Sequence, residues 1–163
     1  MPTADHLLHS DLSRSIISAF YTVYNYFGYG LAESVYSGAL EYELTKRGHK
    51  VDRELSVQVR YEDRVVAWQR LDMVVDAQVI VELKAAERLP PYAERQIFNY
   101  LRATRYGIGL LLHFGPRPKV HRFVDFPKRV APGTVGTSGN RMNQDESGQK
   151  KGSNETVELI VLS

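Results

Sequence analysis

The chain predicts an α/β fold in which helices flank a mixed central β-sheet built from a three-strand meander, a crossover helix and a returning strand. Three observations carry that prediction. Apolar residues recur at helical spacing over about residues 5–27 and 31–47. Strict alternation of apolar and polar residues then runs from 51 to 61. A proline-opened helical segment finally separates two short apolar runs, one around Val79-Ile80-Val81 and one from 108 to 114.

The first helix has apolar residues at 8, 12, 16, 20, 23 and 27, and Gly28-Tyr29-Gly30 interrupts it. The second carries Leu31, Val35, Ala39, Leu40 and Leu44 on one side, with Gly48 where a C-terminal cap belongs. In the alternating strand Val51, Leu55, Val57, Val59 and Tyr61 share the odd positions, and Arg53 alone breaks that apolar side. A second strand runs from Val65 to Asp72, and Asp76-Ala77-Gln78 reads as a three-residue hairpin loop. With that loop Val75 pairs with Val79, and Asp72 falls opposite Glu82. Pro90-Pro91 opens the crossover helix, which reaches about Arg105 before Gly107 stops it. Its core stripe is Ile97, Phe98 and Leu101, with Arg95, Arg102 and Arg105 turned away from Gln96. The run 108–114 is a buried strand, and 119–124 a weaker one.

The 163 residues suit one domain with a real core, and hydrophobic content of 43% fits a globular protein. A domain is expected over 1–126 and a flexible tail over 127–163. From 131 to 156 the only apolar residues are Ala131, Val135 and Met142, too few to offset ordering entropy. The strand-prone hexamer 157–162 follows. The chain has no cysteine, which excludes disulfides and thiolate metal sites and fits a reducing cytoplasm. No apolar run approaches a membrane span, and no secretion signal opens the chain. A net charge of +2 does not by itself argue for nucleic acid.

The chemistry concentrates on Asp72, Glu82 and Lys84. Side chains alternate along a strand, so Glu82 and Lys84 share one face while Leu83 packs behind them. Cross-strand neighbours lie about 5 Å apart, so Asp72 joins the cluster. Facing carboxylates repel unless a proton or metal intervenes, and two carboxylates with an ammonium suit a divalent cation. As a surface ion cluster the same residues would contribute under about 1 kcal/mol. Gln96 and Tyr100, four apart on the crossover helix, share a face. They either satisfy backbone groups or face the carboxylates. Glu33 falls in the first turn of the second helix, where the dipole favours a carboxylate in any case, and Tyr36 is on its face. His113 reads as a packed histidine, the other histidines lack metal-ligand spacing, and no Ser-His-Asp arrangement can be argued.

Together these residues resemble a known family. Gly30-Leu31-Ala32-Glu33-Ser34-Val35-Tyr36 is the pattern that names the bacterial GxxExxY proteins. The resemblance continues through Arg70-Leu71-Asp72, Val81-Glu82-Leu83-Lys84-Ala85, Gln96-Ile97-Phe98-Asn99-Tyr100-Leu101 and Gly109-Leu110-Leu111-Leu112-His113-Phe114-Gly115, over about residues 10–124. That family is placed in the PD-(D/E)xK nuclease superfamily, with a restriction-endonuclease-like core, and the motif set looks like the RecB-like branch. His113 stands where asparagine is expected, and the tail lies outside the pattern.

The resemblance implies a metal-dependent nuclease hydrolysing phosphodiester bonds of DNA or RNA. Asp72 and Glu82 would hold Mg²⁺ or Mn²⁺ with the backbone carbonyl of Leu83, and Glu33 would complete or bridge the shell. Lys84 would orient the attacking water and stabilise negative charge. Gln96, Tyr100 and Tyr36 would position substrate or lysine. The rival reading is a non-catalytic module that keeps the fold and binds nucleic acid or a protein partner.

Overall fold

Apolar residues on both faces of the central strands require a cover on each side, and helices supply it. The computed structural model describes residues 4–104 and 106–125. Among them the chain forms α1 (Ala4–Phe27), α2 (Glu33–Lys46), β1 (Val51–Tyr61), β2 (Arg64–Val75), β3 (Val79–Lys84), α3 (Ala93–Ala103), β4 (Ile108–His113) and β5 (Lys119–Val124). The expected tail, 127–163, with its hexamer lies outside the described residues.

The sheet has the order β1-β2-β3-β4-β5. All neighbours are antiparallel except β3 and β4, which are parallel and joined through α3. This is the expected meander, crossover and return. Val79, Val81, Leu83, Ile108, Leu110 and Leu112 pack with α1 and α2 on one face. Ile80, Leu111 and Val74 pack with Ile97 and Leu101 of α3 on the other. Gly109 lets α3 sit close, since a Cβ there would lie 2.8 Å from Ile97 Cδ1. The result is a restriction-endonuclease-like α/β/α sandwich.

Three details depart from expectation. First, α3 starts at Ala93, after a turn in which the Ala93 amide donates to the Pro90 carbonyl. Second, Phe98 is 40% exposed with the Arg102 guanidinium over its ring, so the core stripe is Ala93, Ile97, Tyr100 and Leu101. Third, Arg53 does not interrupt one apolar side, because β1 changes faces. Val51 packs on the α1/α2 core, whereas Leu55, Val57 and Val59 pack on the α3 side. The switch falls at Glu54, whose φ of 52° is left-handed and which drops out of the ladder between Arg53↔Met73 and Leu55↔Leu71. Its partner strand switches with it: Met73 and Val75 join the α1/α2 core while Leu71 joins the α3 side. Beyond the switch β1 and β2 run on as a ribbon whose residues 64–70 are exposed.

Candidate active site

Continuous apolar β3 ends in Glu82-Leu83-Lys84, and alternation sends Leu83 into the α1/α2 core while Glu82 and Lys84 point the other way. The β2–β3 ladder runs from Val75↔Val79 to Met73↔Val81 and stops there. Asp72 and Glu82 are therefore not ladder partners, as the hairpin register had predicted. The strands part at the face switch, and Asp72 Oδ2 instead accepts a hydrogen bond from the Leu83 amide at 2.9 Å. The divergence opens the sheet where the carboxylates gather. Asp72, Glu33, Ser34, Ser37, Arg53, Glu54, Arg70 and Leu83 line a recess of about 190 Å³ there.

Glu82 is 0% exposed. Its Oε1 is held by Lys84 Nζ at 2.5 Å, but Oε2 is buried with no hydrogen-bond partner among the described residues. Burial, and after it the neighbouring Asp72 carboxylate, push the Glu82 carboxyl up to about 7 against the opposing pull of Lys84. Burial on its own would lower the Lys84 ammonium, but Glu82, Asp72 and Glu33 outweigh it and raise its pKa. Tyr100 is raised by burial first and by Glu82 and Asp72 as well, against a lowering bond from Gln96. The phenol thus keeps its proton beside the carboxylates, and Gln96 Nε2 donates to its oxygen at 2.7 Å. The four-residue spacing brings Gln96 and Tyr100 together, and Tyr100 lies close enough to Glu82 and Asp72 to feel their charges.

Glu33 and Tyr36 arrive differently. Glu33 is the first residue of α2 and its Oε2 accepts from the Ala85 amide at 3.1 Å, clipping α2 to the end of β3. Tyr36 is fully buried, stacked on Phe114 at 4.2 Å. Its hydroxyl donates to the Gly28 carbonyl and accepts from the Leu31 amide. That phenol reaches no substrate. It staples the α1–α2 loop, whose Gly28 and Gly30 adopt φ of 69° and 104°, and so steadies Glu33. His113 is 3% exposed with Nε2 on the Ala86 carbonyl at 2.7 Å, holding the segment after Lys84. A Cβ at Gly115 would meet its ring at 2.5 Å, so the glycine is needed there.

The donor set fits a hard divalent cation: two carboxylates, one with an orphaned buried oxygen, and no softer ligand beside them. Among the described residues no group of three or more His, Cys, Asp or Glu side chains gathers around one point. An ion there would be held by Asp72 and Glu82, with the rest of its shell from backbone carbonyl and water.

One arrangement escaped the sequence. Ser15 Oγ lies 2.7 Å from His49 Nε2, and His49 Nδ1 lies 2.7 Å from Asp76 Oδ2. Contrary to expectation, a Ser-His-Asp chain exists. Nothing local signals it, because a helix and two turns distant in sequence meet there. Ser15 is mid-helix, where backbone amides are committed to the helix and no oxyanion donors remain. The chain is a cross-tie between α1 and the turns before β1 and β3, at the end of the sheet away from Lys84.

Neither the curated proteins nor the solved structures give a match to this chain. Residues 10–123 match the family model described as the PD-(D/E)XK nuclease superfamily, a span running from α1 into β5 that contains every residue of the site. An aspartate and a glutamate-x-lysine on diverging neighbouring strands, inside that match, leave one conclusion: the chain belongs to the PD-(D/E)XK nuclease superfamily.

Proposed function

We propose that the protein is a metal-dependent nuclease that hydrolyses phosphodiester bonds of DNA or RNA, a member of the GxxExxY family in the RecB-like branch. The ordered motifs around Glu33, Asp72, Glu82-Leu83-Lys84 and Gln96…Tyr100 support the branch. The observation that carries the activity is the Glu82 Oε2 atom, a carboxylate oxygen fully enclosed, unpartnered among the described residues and crowded by Asp72. Burying such an oxygen costs stability unless a cation or proton joins it.

In this reading Asp72, Glu82 and the Leu83 carbonyl would hold Mg²⁺ or Mn²⁺, with Glu33 completing or bridging the shell. The bound ion supplies a polarised phosphoryl oxygen and a water of lowered pKa. Lys84 remains an ammonium at neutral pH and donates to the charge that builds on the phosphoryl group. Tyr100, oriented by Gln96, gives its proton as a hydrogen bond toward the same place. Tyr36 acts indirectly, through the loop that carries Glu33. The working unit is the domain 1–126, in the cytoplasm, with 127–163 as an appended tail and an accessory protein partner compatible with it.

The test is cleavage of labelled single- and double-stranded DNA and RNA with Mg²⁺ or Mn²⁺. Wild type is expected to cut at least one, and Lys84→Ala to bind it yet cut about 10²–10³-fold more slowly. If wild type cuts none, or Lys84→Ala cuts equally well, the non-catalytic binding module becomes the better account.

A further inference from the structure

The face of α3 beside the carboxylates is longer than Gln96 and Tyr100 alone require. Tyr92, Arg95, Gln96, Asn99, Tyr100 and Ala103 fall at i, i+3, i+4, i+7, i+8 and i+11, one stripe along the helix. Arg95, expected to turn away from Gln96, lies in it. Across from the stripe stand Val59 and Gln69 of the β1–β2 ribbon, which reach this side because the strands switch faces at Glu54. Between them runs a groove of about 540 Å³. Tyr100 lines it and feels the charges of Glu82, Asp72 and Lys84, so the groove adjoins the candidate centre.

Its lining has a definite chemistry. Gln69 and Asn99 each carry a donor pair and an acceptor, and Gln96, with one amide hydrogen given to Tyr100, keeps one donor and its acceptor. Tyr92 is 63% exposed at the lip, and among the described residues Arg95 is the cation on the walls and no carboxylate lines them. Amides to read a base edge, a ring to stack on and a guanidinium for phosphate are what an unpaired nucleotide requires. A duplex keeps its bases stacked on one another and offers Tyr92 no free base face to stack on. Glu82, fully buried, likewise favours a strand that can bend inward.

We propose that this groove holds an unpaired nucleobase next to the scissile phosphodiester, which makes single-stranded nucleic acid the substrate class. The proposal rests on the nuclease reading for the position of the scissile bond, but its binding half can be measured without turnover. Fluorescence anisotropy of short mixed-sequence DNA and RNA strands, and of their duplexes, is recorded with the full chain carrying Lys84→Ala. Tyr92→Ala and Gln69→Ala are added singly to that chain. Both positions are exposed, so unchanged melting curves verify that the fold persists. Single strands of DNA, RNA or both are expected to bind more tightly than duplex. Tyr92→Ala should weaken them roughly 5-fold or more, the loss of one base–aromatic stack, and leave duplex binding unmoved. Equal affinity for duplex and single strand, or single-strand binding indifferent to both substitutions, overturns the groove assignment and leaves the cleavage reading untouched. Groove-dependent binding by a wild type that cuts nothing keeps the assignment and sinks the nuclease.

Discussion

At the scale of single residues, Glu82 concentrates the tension of the fold. Its carboxyl is raised from 4.5 to about 7, chiefly by burial, so the folded chain keeps this proton to higher pH than the unfolded chain does. The stability it contributes is complete below about 4.5 and is lost as pH rises to about 7. At about 1.4 kcal/mol per pH unit, the loss is on the order of 3 kcal/mol. A cation bound by Glu82 and Asp72 would restore it by mass action. We therefore expect the melting temperature without metal to fall between pH 5 and 7 more steeply in wild type than in Glu82→Gln. Mn²⁺ should raise it at pH 7 in wild type alone. An equal rise in both proteins would remove Glu82 from the metal site.

At the scale of elements, the site exists because two strands change faces together. Alternation alone would have carried Asp72 and Glu82 along one continuous ladder. Instead the left-handed Glu54 turns the β1–β2 ribbon over. Leu71 and Met73 then pack on opposite faces of the sheet, and the Leu83 amide is left for Asp72. A non-glycine residue in that conformation costs roughly 1–2 kcal/mol, and a β-branched one more. Glu54→Gly should thus keep or raise the melting temperature, while Glu54→Val should lower it and weaken the proposed metal binding with it. Glu54→Val as stable as wild type would mean the switch is held elsewhere, by the strand pairs on either side. The Ser15–His49–Asp76 cross-tie belongs to this scale too, bracing the far end of the sheet while the near end stays open.

At the scale of the molecule, two cores pack on either side of one sheet among the described residues, and no helix there is long and apolar enough to cross a membrane. Residues 131–156 offer only Ala131, Val135 and Met142 as apolar side chains. A chain ending at Val130 should unfold as cooperatively as the full chain, at nearly the same temperature by calorimetry. A clear loss of stability would show that the hexamer 157–162 docks as part of the sheet.

What the residues determined by themselves was whatever depends on neighbours in the chain. Periods of 3.6 and 2 set the element order, since each is imposed by local backbone geometry. The short Asp76-Ala77-Gln78 loop set the Val75↔Val79 register because so few residues leave no slack. Alternation put Glu82 and Lys84 on one face, and four-residue spacing put Gln96 beside Tyr100. Tertiary structure decided what depends on distant segments meeting. It turned Tyr36 onto the loop backbone, because stacking on Phe114 buries the ring and leaves the hydroxyl only Gly28 and Leu31. It set Glu33 on the Ala85 amide, joined Ser15 to His49 and Asp76, and drew Arg95 into the groove facing Gln69. It also left Glu82 Oε2 enclosed without a partner among the described residues. Periodicity carries no trace of these contacts, because a side chain's partner across the fold is chosen by packing and by a single backbone angle at Glu54.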